Sequence, residues 1–299
     1  MVVTHIGHMD FGAQDGAVWG DYLFRFNDSG LCRVFDASVL TEHAENTALP
    51  HIADFMLGDT DRIIPHCNAV TFGCDYYAEG DEFPLLYANV YNNYANAEDR
   101  RIGMCCVYRL TRQGTVFSAA LVQMLKIGFA AERGLWLSAG DVADVRPFGN
   151  FVVDRDRRQI HSFVMRDGDR ITRYFTHRLP AVSEGVFSEE YGVPVAVLSK
   201  EEILSSFDAP YHLYVQGACC EGGLIWSSEG FGFNADIPPV LRVIDPEKQQ
   251  QIAYCNLADL GYSGEAEWID FYRGRCYYSD GGGALFGVAL TDRETCEDT

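Results

Sequence analysis

The side chains of this chain best suited to chemistry are the carboxylates Asp15, Glu265 and Glu267, the imidazole of His66, and the amides Gln14, Asn68, Asn150 and Gln216. Each opens a short apolar stretch, as in Gln14-Asp15-Gly16-Ala17-Val18, His66-Cys67-Asn68-Ala69-Val70 and Glu265-Ala266-Glu267-Trp268-Ile269. Brought together, they would support three kinds of chemistry. Mixed donors and acceptors suit a small polar ligand such as a carbohydrate. Asp15 paired with Glu265 or Glu267 could act as acid and base across a glycosidic bond, with His66 as a further acid or an orienting group. The same carboxylates with the amide oxygens of Asn68, Asn150 and Gln216 could surround a divalent cation, calcium above all, which takes about six to eight oxygens. His66 would suit a transition metal better. A set of polar groups that merely solvates a wet channel is the plainer alternative.

Residues so far apart in sequence need a fold that gathers them. Helical periodicity is nearly absent: Ser199–Leu204 has capping-box spacing at Ser199 and Glu202, and Glu42–Leu57 is interrupted by Pro50. Elsewhere, apolar runs alternate with turn signals. Tyr22–Phe26 and Leu31–Phe35 flank Asn27-Asp28-Ser29-Gly30, and Ile160–Met165 and Ile171–Phe175 flank Asp167-Gly168. Cys105–Leu110 and Thr115–Val122 flank Thr111-Arg112-Gln113-Gly114. A looser repeat organises these hairpins. Gly16, Asn68, Asn150, Gly217 and Glu267 hold equivalent positions in five units, at intervals of 52, 82, 67 and 50 residues.

The last unit has only 32 residues after Glu267, so Val2–Ile6 would have to supply its missing strand. The expectation is one all-β domain over 1–299, a five-bladed β-propeller closed by its N-terminal strand. Its blades run roughly over 9–60, 61–130, 135–198, 209–260, and 261–299 with 1–8. The irregular spacing leaves a β-sandwich or two β-domains as the alternative. In a propeller, first strands line the central tunnel, and the eight polar residues would meet at one mouth.

Composition narrows the partners. The 299 residues include 43 acidic against 23 basic side chains, a net charge of −20. That balance opposes nucleic acid and anionic membrane surfaces, both of which are recognised through Lys and Arg. No run of roughly 18 apolar residues occurs, and the N-terminus lacks the pattern of a signal peptide. The ten cysteines fall in apolar runs without a CxxC pair, so reduced thiols in the cytoplasm are expected. Gly281-Gly282-Gly283 reads as a hairpin connection, and Trp19, Trp136, Trp226 and Trp268 read as packing between blades before any sugar-stacking role. Oligomeric state is left open.

His66-Cys67-Asn68, Gly80-Asp81-Glu82-Phe83-Pro84-Leu85-Leu86-Tyr87 and Glu265 through Tyr278 resemble a group of bacterial five-bladed propellers without an assigned activity. The resemblance extends over most of the chain and implies the fold, while transferring no catalytic residue. The final unit is more distantly similar to the blade openings of propeller nucleotidases and lactonases, where a carboxylate precedes an apolar strand. His66 and Asn68 depart from the carboxylates that a metal-centred propeller hydrolase often carries. The leading expectation is a binding module for a small polar ligand, with no certain cofactor. A hydrolase of the glycosidase or lactonase and phosphoesterase kind is the first alternative, and a protein-interaction scaffold the second.

Overall fold

The computed structural model describes residues 1–40, 45–90, 103–129, 150–166, 170–212, 214–232 and 235–290. Its inner strands are too apolar to leave either face in water. In Tyr22–Phe26, Leu23 and Phe24 point to opposite sides of the sheet and both are fully buried. Leu23 joins a cluster with Trp268 and Leu285, whereas Phe24 joins one with Phe72, Phe83 and Phe117. A sheet buried on both faces must have a neighbour on each side. Five such sheets ringed round an axis satisfy this, and the chain is a five-bladed β-propeller with one hydrophobic cluster at each junction between blades.

The first blade is built from β2 (Gly16–Trp19), β3 (Tyr22–Phe26), β4 (Leu31–Asp36) and β6 (His51–Met56). The second starts from β7 (Val70–Phe72), β8 (Leu86–Asn89), β9 (Met104–Gln113) and β10 (Val116–Ile127). The third contains β11 (Asn150–Asp154), β12 (Gln159–Arg166), β13 (Ile171–Arg178) and β16 (Ser205–Pro210). In the fourth are β17 (Val215–Glu221), β18 (Leu224–Glu229), β19 (Val240–Asp245) and β20 (Gln250–Asn256). The fifth runs β21 (Ala266–Tyr272), β22 (Arg275–Asp280), β23 (Ala284–Ala289), then β1 (Val2–His8) and the two-residue β5 (Thr47–Ala48). β1 lies antiparallel to β23, from Val2 opposite Ala289 to His8 opposite Ala284. The N-terminus therefore closes the ring, as the short last repeat requires.

Several sequence expectations need correction. The third blade does not end near 198, since β14 (Val186–Ser188) and β15 (Val193–Leu198) cross back to the second sheet. There β15 pairs parallel with β10 and covers its edge, and the third blade takes β16 as its outer strand. The helical reading of Glu42–Leu57 fails where it can be followed: His51–Met56 is a strand paired with β4, and 41–44 lie outside the described residues. Ser199–Leu204 gives only a 3-10 turn over Lys200–Glu202, and Ser199 Oγ bonds the Glu202 carboxylate (3.0 Å) without capping a backbone N–H. Thr111–Gln113 continue β9 instead of turning. The Asp167-Gly168 turn and Trp136 lie outside the described residues.

Adjacent cysteines follow the same two-faced logic. Cys105 and Cys106 serve different junctions, as do Cys219 and Cys220, so neighbours in sequence point apart. All nine cysteines among the described residues are free.

Between the third and fourth blades a polar cluster adjoins the apolar one. Arg242 donates to both Glu229 oxygens (2.9 and 3.1 Å), and Ser227 Oγ donates to Oε1 (2.8 Å). His212 Nδ1 lies 2.5 Å from Glu229 Oε1, and its Nε2 is 2.7 Å from the Tyr174 hydroxyl. Burial opposes ionisation of Glu229, but His212 and Arg242 outweigh it and hold the carboxyl below its ordinary range. Burial also lowers His212, in keeping with a neutral ring that accepts the Tyr174 proton. Removing one member strands the others without solvent. Glu229→Ala should therefore cost about 3–5 kcal/mol in urea unfolding, and a loss under about 1 kcal/mol would show that the cluster does not hold the junction.

Candidate functional site

The site forms where the inner strands begin. A cavity of about 280 Å³ is lined by Gln14, His66, Asn68, Asn150, Gln216, Glu265 and Glu267, together with Met165, Tyr214, Val215 and Phe231. Of the eight residues singled out in sequence, only Asp15 is missing from this wall. A second cavity, about 390 Å³, shares Gln14, Glu265 and Glu267 and extends over Gly12, Ala13, Asn27, Asp28, Gly281 and Gly282. The two glutamates thus stand on the wall between two open spaces. Among the described residues neither cavity is lined by Lys or Arg.

Local backbone irregularity presents these groups. In β17 the pairing slips between Val215 and Gly217, and in β21 between Ala266 and Trp268. Gln216 and Glu267 are the extra residues at these two bulges, a device that re-aims a side chain. The Gln216 amide donates to Glu265 Oε1, joining neighbouring blades. Gly217 allows the close approach, because a β-carbon there would lie 2.6 Å from the Glu267 carbonyl oxygen and 2.8 Å from Asp15 Oδ1. His66 and Asn68 flank Cys67, whose φ of +62° is uncommon for a residue with a β-carbon. Tyr214, at φ +58°, sets its ring 4.6 Å from that of Phe231 on the cavity wall.

Two residues that sequence reasoning passed over hold the arrangement. Asn89, the last residue of β8, donates from its amide to Asn68 Oδ1 and to Asn150 Oδ1 (3.5 Å), while its own Oδ1 accepts from Ala69 N (3.0 Å). Asn68 in turn donates to the Val215 carbonyl (3.2 Å), so one amide chain crosses three blades. Arg25, buried in β3, donates to the Gln14 carbonyl (2.8 Å) and stands 5.4 Å from the Trp268 ring. Burial pulls its guanidinium down to about 10 against the attraction of Asp15 and Glu267, which leaves it charged at neutral pH.

Asp15 has another place. It is completely enclosed and accepts from Val70 N (2.8 Å) and Ala218 N (3.3 Å) on Oδ2. Pairing it with a glutamate across a substrate is therefore a poor reading. Its Oδ2 is taken by backbone donors, its buried Oδ1 has no hydrogen-bond partner among the described residues, and the side chain lines neither cavity. Burial drives it well above the ordinary carboxylate range, partly offset by backbone N–H donors and Arg25. For a metal, the described residues contain no group of three or more His, Cys, Asp or Glu side chains placed to hold one, so the three carboxylates of the calcium expectation do not form a cluster by themselves.

The glutamates that do face the cavities are perturbed as well. Glu267 is only 3% exposed, and its Oε2 has no hydrogen-bond partner among the described residues. Burial, reinforced by Glu265, raises it well above its usual value, with Arg25 pulling the other way. Glu265 is raised by burial and relieved in part by Gln216, while burial lowers His66.

No protein-family model matches the chain, and no curated protein matches it. Solved structures similar to it include BamB from Moraxella catarrhalis, at 10% identity over 91% of this chain and 68% of that one, with a TM-score of 0.31. Kuenenia stuttgartiensis hydrazine synthase is 11% identical over 89% of this chain and 61% of that one (TM-score 0.41), and the Dos1 propeller 10% over 91% and 55% (TM-score 0.35). This chain spans less than two thirds of the last two. Such likeness concerns fold alone, and the propeller assignment rests on the five sheets themselves.

A carboxyl whose folded pKa lies above its unfolded one, about 4.3 for Glu, stabilises fully only below that unfolded value. The contribution is lost as pH rises through the folded pKa. Glu267→Gln should accordingly raise the melting temperature at pH 8, with the gain shrinking towards pH 4.5. An equal gain at both pH values would show that ionisation of this side chain is not the burden.

Proposed function

We propose that the protein binds a small, hydroxyl-rich molecule of carbohydrate type at the tunnel mouth. The supporting observation is the single cavity to which all five blade openings contribute a polar side chain, from Gln14 through His66, Asn68, Asn150 and Gln216 to Glu265 and Glu267. Alternating donors and acceptors can match a ring of hydroxyls, and the Tyr214 and Phe231 rings offer an apolar surface for a sugar's C–H face. The volume falls near the lower end of small-molecule sites, roughly 300 Å³. The free and mostly buried cysteines among the described residues support a reducing, cytoplasmic setting.

A hydrolytic role is the second reading. It is favoured by the placement of Glu267 between two cavities with a carboxyl biased towards its protonated form, the condition a general acid needs. Glu265 would then be its partner. Turnover of aryl glycosides or lactones by the wild type, lost in Glu267→Gln, would favour this reading over simple binding.

The binding reading is tested by screening neutral, amino and acidic monosaccharides for thermal shifts, then measuring affinity in Asn150→Ala and Gln216→Ala. Each variant removes a neutral hydrogen-bonding group and should weaken the bound sugar by roughly three- to tenfold. A sugar bound equally well by both variants would take the site away from this cavity.

A further inference from the structure

Resting on the binding reading, we infer that the ligand carries a protonated amine received by Glu265 and Glu267, so that the class is an amino sugar or a hydroxylated amine of that size.

The argument begins with charge around the site. Glu265 and Glu267 line both cavities and Asp28 lines the larger one, while among the described residues no Lys or Arg reaches either wall. Asp15 and Asp280 add their fields at Glu267, and both also act on Arg25. That guanidinium lines neither cavity, and its Nη2 donates to the Gln14 and Ala13 carbonyls (2.8 and 3.5 Å). His66, lowered by burial, does not supply a positive charge at neutral pH. A phosphate or sugar acid would meet carboxylates without a counter-charge, which is an unfavourable pairing.

The second observation is the unsatisfied acceptor. Glu267 is almost wholly buried on the shared wall, and its Oε2 has no partner among the described residues. Buried polar atoms are nearly always paired, and an exception in a cavity marks a place for a ligand donor. An ammonium has three N–H donors and no acceptor. One could go to Glu267, one to Glu265, and one to a neighbouring amide or carbonyl. The Tyr214 and Phe231 rings, on the wall of the smaller cavity, present faces that attract cations. A bare metal ion fits less well, because among the described residues no three ligating His, Cys, Asp or Glu side chains converge. A larger organic cation can span the wider spacing.

Binding also has a proton signature. A positive nitrogen beside Glu267 favours its ionised form, so the complex should release a proton that the free protein holds.

The experiment titrates the full chain at pH 6.5 with glucosamine, N-acetylglucosamine and glucose by isothermal calorimetry, in two buffers of different ionisation enthalpy. Glucosamine should bind at least about tenfold tighter than the other two and release protons, as expected for a charged hydrogen bond. Glu265→Gln and Glu267→Gln should each erase most of that margin, read as the ratio of glucosamine to glucose affinity measured on the same variant. If glucose or N-acetylglucosamine binds as tightly as glucosamine, and Gln216→Ala still weakens it, the amine assignment is overturned and the carbohydrate site stands. If none of the three binds, or Gln216→Ala changes nothing, both readings fall.

Discussion

The carboxylate of Asp15 has no exposed surface, yet three blades depend on it. Its Oδ2 accepts from Val70 N in the second blade and Ala218 N in the fourth, while its own N–H donates to the Cys67 carbonyl (2.9 Å). Its carbonyl accepts from Phe26 N (3.1 Å) within the first blade. In a ring of five sheets, each inner strand has an unpaired side towards the axis, and buried N–H groups there need acceptors. One carboxylate serves two such donors from strands far apart in sequence. The inner ring is thereby drawn tight enough that Gly217 has no room for a β-carbon. Arg25 works against the desolvation of that carboxyl from one strand away, its guanidinium held beside the Trp268 ring.

The mouth of the tunnel inherits its shape from that tightening. With the inner strands in contact, the polar residues just before them converge on a small cavity. The bulges at Gln216 and Glu267 then turn two side chains inward that a regular pleat would place differently. Asn89 does comparable work from the second strand of its blade, fixing the oxygens of Asn68 and Asn150 so that the amides cannot rotate freely. A site assembled this way is preorganised by the scaffold, with little side-chain freedom left to lose on binding. The left-handed backbone at Cys67 and Tyr214 belongs to the same design, since strain of that kind persists where surrounding contacts over-determine it.

Much of this was readable from the chain because the repeat carried the information. Aligning Gly16, Asn68, Asn150, Gly217 and Glu267 placed five inner strands in register, and seven of the eight polar residues chosen from those openings line one cavity. Asp15 was legible as an axial residue but not as an enclosed one, because the donors that surround it, Val70 N and Ala218 N, are backbone groups without a side-chain signature. Asn89 and Arg25 were missed for a different reason. They stand on second strands, where a polar residue in an apolar run reads as an exposed position, and only the packing of neighbouring blades shows both to be buried. The return of Val193–Leu198 to the second sheet was likewise illegible, since parallel pairing over long separation leaves no local pattern.

The electrostatics of the mouth run against the stability of the fold. Asp15 and Glu267 are both raised by burial, and the guanidinium within their reach, Arg25, is weakened by its own desolvation. The Glu229 cluster shows that the same chain can bury a carboxylate well, with Arg242, His212 and Ser227 supplying donors around it. Glu267 receives no such support at Oε2, although Gln216 lies close enough to reach its neighbour Glu265. A sequence shaped for stability alone would place an amide or an apolar side chain there. Violations of local consistency concentrate where function requires them, and perturbed acids facing a cleft are a frequent form. The contrast between two buried glutamates in one protein, one saturated with donors and one left open towards a cavity, separates what holds the ring from what the ring presents.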